Sequence, residues 1–253
     1  MTQSACADRV QKGDPDRYLA NLAAPLALRG DLFTLYALNL EIARAPWVTK
    51  ETMIAEMRLQ WWRDVVAEPK VRAHEVAEPL HGLIRRATLP LPLIDQMIAA
   101  RVHDIYPDPF VDQPDLDRYI DQTAGHLMWL AALICGAKPQ AEAPVRAYAY
   151  ASGLANYLRA VPELEARGRR PLIDGRPQAL RDLAAVGLDR LAQARVQRSL
   201  TGPALPAMLP GWQAPAILSQ IVKEPQRVAD GTLGLSEFSR RGRLAWAAIS
   251  GRW

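Results

Sequence analysis

Apolar positions Leu32, Leu35, Tyr36, Leu38, Ile42 and Ala43 recur with the period of an α-helix, and Pro46 stops the pattern. Upstream, the Gly13-Asp14-Pro15 break precedes a helix expected from about Arg17, with Asp14 or Asp16 as its cap, and Pro25 separates it from the next one. Met53, Ile54, Met57, Trp61 and Val65 alternate with charge over 50–67, which predicts a third, amphipathic helix closed by Glu68-Pro69. Further helices are expected over 76–87, 91–104, 115–135, 142–161 and 177–194, separated by prolines, and short ones over 215–222 and 235–250. No segment alternates in the manner of a strand, and no period of repeat is present. The expected organisation is a flexible tail over 1–15, a helical domain over 16–200, and a loop-rich extension over 201–253 packed on the same domain.

Composition narrows the function classes. The 253 residues are 49% apolar, enough for a sizeable core. Of 31 basic residues only five are lysine (12, 50, 70, 138 and 223), so the formal charge of +4 is carried by guanidinium, which suits phosphate or anionic lipid. No basic run is interleaved with stacking aromatics, and no nucleic-acid partner is expected. Cys6 and Cys135 are too few for a disulfide framework, which points to a reducing compartment. No apolar leader follows a basic start, and the longest uncharged apolar run, 127–137, is short of a membrane span. The expected location is therefore cytoplasmic, with any membrane contact peripheral, on the inner face of the cytoplasmic membrane.

Two stretches carry the most specific signal. The first is Leu35-Tyr36-Ala37-Leu38-Asn39-Leu40-Glu41-Ile42-Ala43-Arg44 with the later Arg58-Leu59-Gln60-Trp61-Trp62-Arg63-Asp64. The second is Gly153-Leu154-Ala155-Asn156-Tyr157-Leu158-Arg159-Ala160-Val161-Pro162-Glu163-Leu164, ending at the Arg167-Gly168-Arg169 corner. From about Asp16 to Arg190 the chain resembles the squalene/phytoene synthase family, all-helical enzymes that join two prenyl diphosphates. That resemblance implies an all-α isoprenoid-synthase-type bundle around a central cavity. In active members two aspartate clusters on facing helices hold magnesium against the diphosphate. Laid on that pattern, the aspartate positions of the first cluster fall on Ala43, Arg44 and Trp47, and those of the second on Ala160 and Leu164. Neither alanine, tryptophan nor leucine can ligate magnesium. Asn156, Arg159, Glu163 and the Arg167-Gly168-Arg169 corner match.

Other candidates carry less. Glu41 is expected either in a charged cluster with Arg44, Arg58 or Arg63, or solvated. Tyr36, Arg44, Asn156 and Arg159 are the candidate cavity and anion-binding residues. Tyr119 to Met128 is similar to the family's central helix, where Gly125 would permit close approach and ordinary packing is the simpler reading. The DxxxD spacings at Asp104–Asp108, Asp108–Asp112 and Asp117–Asp121 fit neither the position nor the partners of the family pattern. The four histidines lack ligand spacing, and no nucleophile elbow or phosphate-cradling glycine loop is present. Of the adjacent Trp61 and Trp62, one is expected in the core and the other on its flank. Pro162 is expected to interrupt the helix that carries the second motif. The segment 238–249 mixes arginine with Trp246 and aliphatics, and is expected either on an anionic membrane or docked on the bundle.

The first stretch with its tryptophan pair resembles the divergent group of the family that includes a mitochondrial respiratory complex I assembly factor. The resemblance implies a non-catalytic protein, with a respiratory complex subunit or assembly intermediate as partner and no cofactor. The alternatives are a prenyl diphosphate-condensing transferase, which would need Mg2+, and an isoprenoid- or lipid-binding protein.

Overall fold

The computed structural model describes residues 2–49 and 51–253. The expected start of the third helix at Lys50 lies outside the described residues. Among those described, the chain is helical with no strand. Helix α1 spans Thr2–Gly13, α2 Pro15–Leu22, α3 Leu26–Arg44, α4 Thr52–Ala67, α5 Ala77–Ala87 and α6 Leu91–Ala100. These are followed by α7 Gln113–Ile120, α8 His126–Ile134, α9 Glu142–Ala166, α10 Pro177–Val196, α11 Leu205–Met208, α12 Ala214–Lys223 and α13 Glu237–Ser250.

The framework is built on α3 and α9. Helix α3 is buried almost all round from Leu32 to Ile42, which a helix permits only when neighbours cover every face. Helix α1 packs along it, α8 lies between it and α9, and α10 joins α9 to α12. Glycine allows two of these approaches. A Cβ on Gly153 would lie 2.6 Å from Ala124 Cβ, and one on Gly187 would lie 2.9 Å from Leu218 Cδ1.

Three expectations are corrected. Where a flexible tail is expected over 1–15, Thr2–Gly13 forms α1, with Cys6 and Val10 fully buried against the core, and Arg9 paired to Glu41 and Glu75. The alternation of small and polar residues there hid an apolar stripe only one turn wide. Helix α9 runs through Pro162 to Ala166 instead of stopping. Proline removes one donor, and the remaining turns hold the helix together. Helix 91–104 is α only to Ala100, and its last turn tightens to a 3₁₀ turn over Arg101–Ile105.

The segment expected at 115–135 is one rod with a π turn at Asp121–Gly125, where the His126 N–H bonds back to the Asp121 carbonyl. Gly125 leaves room for the Asp121 side chain that pairs with Arg146, whereas close helix approach is made by Gly153. Asp14 caps α2, its carboxylate accepting from the Arg17 N–H at 2.9 Å. Trp62 is buried, while Trp61 stands on its flank and packs edge-to-face against it at 4.8 Å.

Candidate functional site

The two motif helices, α3 and α9, face each other across a cleft. Ala43 from the first, Trp47 from the 3₁₀ turn Ala45–Trp47 that follows it, and Asn156, Ala160 and Leu164 from the second line one cavity of about 270 Å³. Asn39, Ile120, Thr123, Ala124 and Leu127 complete its apolar and amide wall. Arg17, Asn39, Ala43 and Asn156 also line a larger hollow of about 550 Å³ that reaches Arg159 and Arg240, so the cleft is continuous. Four of the five degenerate positions, Ala43, Trp47, Ala160 and Leu164, are thus brought together, and Arg44 does not line this cavity.

One end of the cleft is closed by Trp47. The Arg167 guanidinium lies 4.7 Å from the centre of its ring and that of Arg169 5.5 Å. Gly168, at φ +80°, turns the chain so that both arginines reach it. Arg169 also donates to the carbonyls of His103 (2.8 Å) and Asp104, which ties the Arg-Gly-Arg corner to the 3₁₀ turn. On the far side of Trp47, Arg44, Glu163 and Arg167 line a shallower hollow of about 440 Å³. Glu163 is spent there in an ion pair with Arg167 at 2.5 Å.

The carboxylate of the central cavity is Asp104. Tyr119 Oη donates to it at 2.9 Å, and Arg101 Nη1 lies 3.2 Å from its Oδ2 and 2.9 Å from Tyr119 Oη. Burial, then the charge of Asp104, push the Tyr119 hydroxyl far above its ordinary value, so it remains a donor. Burial opposes the charge on Arg101, but Tyr119 and Asp104 hold its pKa above the usual value. Asp104 is therefore neutralised in place. Its DxxxD spacing with Asp108 carried no chemistry, yet the residue itself belongs to the cavity; the tightened turn, absent from a periodic reading, puts it there. Arg17 and Arg101 were likewise missed.

The remaining candidates separate. Tyr36 is in the core, its ring 5.1 Å beneath the Arg17 guanidinium and its hydroxyl without a partner, and it lines none of the three hollows. Burial pushes that hydroxyl well above its ordinary value. Arg159 and Asn156 line the larger hollow, and Arg44 the shallower one. The cluster of Glu41 with Arg58 and Arg63 does not form: Glu41 pairs with Arg9, and Arg63 with Asp95 at 2.7 Å. Glu41 and Arg58 share only the wall of a surface groove beside Trp61 and His74. Asp117 is taken by Arg190 and Tyr150, and Asp121 by Arg146.

This facing pair of helices, with both motifs on one cleft, is matched by comparison. The family model described as squalene/phytoene synthase matches residues 10–201. The chain belongs to the squalene/phytoene synthase family. Among curated relatives, NADH dehydrogenase (ubiquinone) complex I, assembly factor 6 of Bos taurus is 27% identical over 172 residues, covering 66% of this chain and 52% of that protein. The Homo sapiens protein is 26% identical over 165 residues (64% and 50%), and the Drosophila melanogaster homolog 28% over 204 residues (77% and 58%). The chain spans about half the length of the curated relatives it matches. Among solved structures, squalene synthase HpnC from Alicyclobacillus acidocaldarius superposes with a TM-score of 0.74 at 17% identity, over 88% of this chain and 94% of that one. A dehydrosqualene synthase in complex with ligand gives 0.70 at 16%, over 99% and 96%. The fold is thus the isoprenoid-synthase-type helical bundle.

For a squalene/phytoene synthase the fold implies magnesium held between the two clusters. The residues here do not fit it. Ala43, Trp47, Ala160 and Leu164 offer no hard oxygen, and Asp104 is already held by Arg101 and Tyr119. Among the described residues, no group of three or more His, Cys, Asp or Glu side chains is placed to share an ion.

Proposed function

We propose that this chain is a non-catalytic squalene/phytoene synthase-like protein that acts in the assembly or stabilisation of respiratory complex I. Its partner is a complex subunit or assembly intermediate at the inner face of the cytoplasmic membrane. One observation carries this reading: four of the five cluster positions, Ala43, Trp47, Ala160 and Leu164, line the retained cleft with no carboxylate among them, the fifth is Arg44, and Trp47, clasped by Arg167 and Arg169, stands at the cleft's mouth. Ionising an allylic diphosphate needs several negative charges to be neutralised by metal in a dry site, and arginine cannot supply that Lewis acidity. The curated relatives named as complex I assembly factors supply the biological direction.

The test is deletion of the gene followed by NADH:quinone activity in isolated membranes. A loss restored by the wild-type chain supports assembly, and equally by a Trp47→Phe variant, since no chemistry depends on the site. Unchanged activity and complex level would overturn it. Purified protein with farnesyl and geranylgeranyl diphosphates plus Mg2+ is expected to give no condensation product.

A second reading is favoured by unspent polar atoms in the cleft. Arg17 Nη1, Arg101 Nε and Asn39 Oδ1 are buried without hydrogen-bond partners. Buried polar groups are seldom left so, and an amphiphile with a polar head would satisfy them. Native mass spectrometry of the purified chain tests it: an isoprenoid or lipid retained in the folded protein supports a binding role, and an empty cleft refutes it.

A further inference from the structure

On the outer face of α13, arginine and exposed apolar side chains share one surface. Helix α13 is capped by Ser236, whose hydroxyl accepts from the Ser239 N–H, and ends at Gly251 with φ +66°. It rests on the bundle along a narrow line, Leu244, Ala247 and Ala248 meeting Leu205, Leu209 and Trp212. At 100° per residue, Phe238, Ala245, Trp246 and Ile249 fall on the opposite side, within an arc of about 100°. Phe238 is 90% exposed, Trp246 62% and Ile249 85%.

Trp246 and Arg243 also line a hollow of about 330 Å³ with Arg195, Arg198, Arg252, Trp212 and Trp253. No acidic side chain lines it, and none of these four arginines forms an ion pair among the described residues. Arg195 and Arg198 each donate to the Trp253 main-chain oxygen at 3.0 Å. Arg198 Nε and Trp212 Nε1 are buried with no acceptor. Burial first, and to a lesser degree the charge of Arg198, hold Arg195 below its ordinary pKa, while Tyr148 opposes this.

We propose that this surface docks on an anionic phospholipid membrane, the arginine hollow taking a headgroup phosphate while Phe238, Trp246 and Ile249 enter the interfacial region. Arginine guanidinium and indole N–H are donors suited to phosphate oxygens. A free phosphate would use only the hollow and leave the apolar ridge unexplained. A helix with an apolar ridge flanked by arginine is the pattern of an interfacial anchor. The inference deepens the membrane-side placement proposed above and does not depend on the assembly role.

The full chain is tested by co-sedimentation with vesicles of phosphatidylcholine alone and of phosphatidylcholine with phosphatidylglycerol, alongside thermal stabilisation by inorganic phosphate. Binding is expected to the anionic vesicles, with a blue shift of tryptophan emission, and little to the neutral ones. Each basic residue near an anionic surface contributes roughly a fivefold change in binding, so Arg243→Gln with Arg252→Gln is expected to weaken it about thirtyfold. Phe238→Ser with Ile249→Ser, equally exposed, is expected to abolish retention while leaving all charges in place. Circular dichroism on both double variants checks folding. Equal binding to neutral vesicles, full binding by either folded variant, or phosphate stabilisation without vesicle binding each overturns the proposal. Complex I loss on deletion alongside absent vesicle binding would sink this inference alone.

Discussion

Trp47 takes an aspartate position of the family and turns it into a plug. Its ring is half-buried between Arg167, Arg169 and the cleft, so Trp47→Ala removes two cation–π contacts and leaves a hole. The expected loss is about 2 kcal/mol in urea denaturation, with a more open cleft. An unchanged midpoint would show that the arginines do not rely on the ring. His126 makes a second residue-scale prediction. A guanidinium can only donate, so Arg146 Nη1, 3.0 Å from Nδ1, fixes the proton on Nε2, which donates to Gln96 Oε1 at 2.8 Å. Burial first, then Arg146, depress its pKa below 6.5, while Asp121 and Glu142 oppose this. The unfolded state binds the proton more readily, so the stabilisation is complete above about pH 6.5 and is lost as pH falls through the lower folded value. Thermal unfolding between pH 7.5 and 5.5 is expected to show a drop that is reduced in His126→Gln; identical profiles would refute it. At this scale the degenerate positions Ala43, Ala160 and Leu164 were legible, because helical register places them together wherever the helices pack, and Trp47 joins them from the 3₁₀ turn that continues α3. Arg101, Asp104 and Tyr119 were not, because their meeting depends on a 3₁₀ turn and a π turn that periodicity does not encode.

Helix existence was readable from apolar spacing and proline punctuation, while helix ends and packing partners were less so. Pro162 looked like a terminator, yet α9 carries on to Ala166 because the flanking turns and the burial of Leu158 and Val161 outweigh one missing donor. Helix α1 was passed over because its buried face amounts to Cys6 and Val10 among polar residues, a stripe that only the finished α3 surface makes meaningful. The contact of α9 with the π turn has a sharper determinant. Gly153 faces Ala124 Cβ at 2.6 Å and Ile120 Cγ2 at 2.9 Å from where its own Cβ would stand. Both neighbours line the cleft, and neither is a flexible chain end that can swing away. Gly153→Ala is therefore expected to separate the two helices and destabilise the fold by about 1–3 kcal/mol, despite the better helix propensity of alanine. Equilibrium denaturation reads the outcome. A gain in stability would mean that the helices slide apart without penalty.

Over the whole molecule, the chain's last fifty residues close the bundle rather than decorate it. Helix α12 buries Ile217, Leu218 and Ile221 against α9 and α10, and Trp253 packs on Tyr148 of α9 with ring centres 4.8 Å apart. Asp16 near the start of the chain accepts from Gln213 at 2.7 Å and pairs with Arg240, so α2 is tied to the residue that precedes α12 and to α13. Gly211 lies against the Tyr148 ring, where a Cβ would come within 2.6 Å. The loop-rich composition of 201–253 suggested an extension, because proline and glycine there end helices without preventing short ones from being buried. A chain ending at Leu200 would expose the apolar faces of α9 and α10 and leave Asp16 without either partner. Such a fragment is expected to keep much of its helical circular dichroism yet bind ANS and unfold without a cooperative transition, since secondary structure survives where specific packing is lost. The intact chain should instead unfold in one transition reported alike by circular dichroism and tryptophan fluorescence. If the fragment unfolds cooperatively with the midpoint of the intact chain, then the cleft is framed without the C-terminal helices, which serve only the surface on which Phe238, Trp246 and Ile249 are displayed.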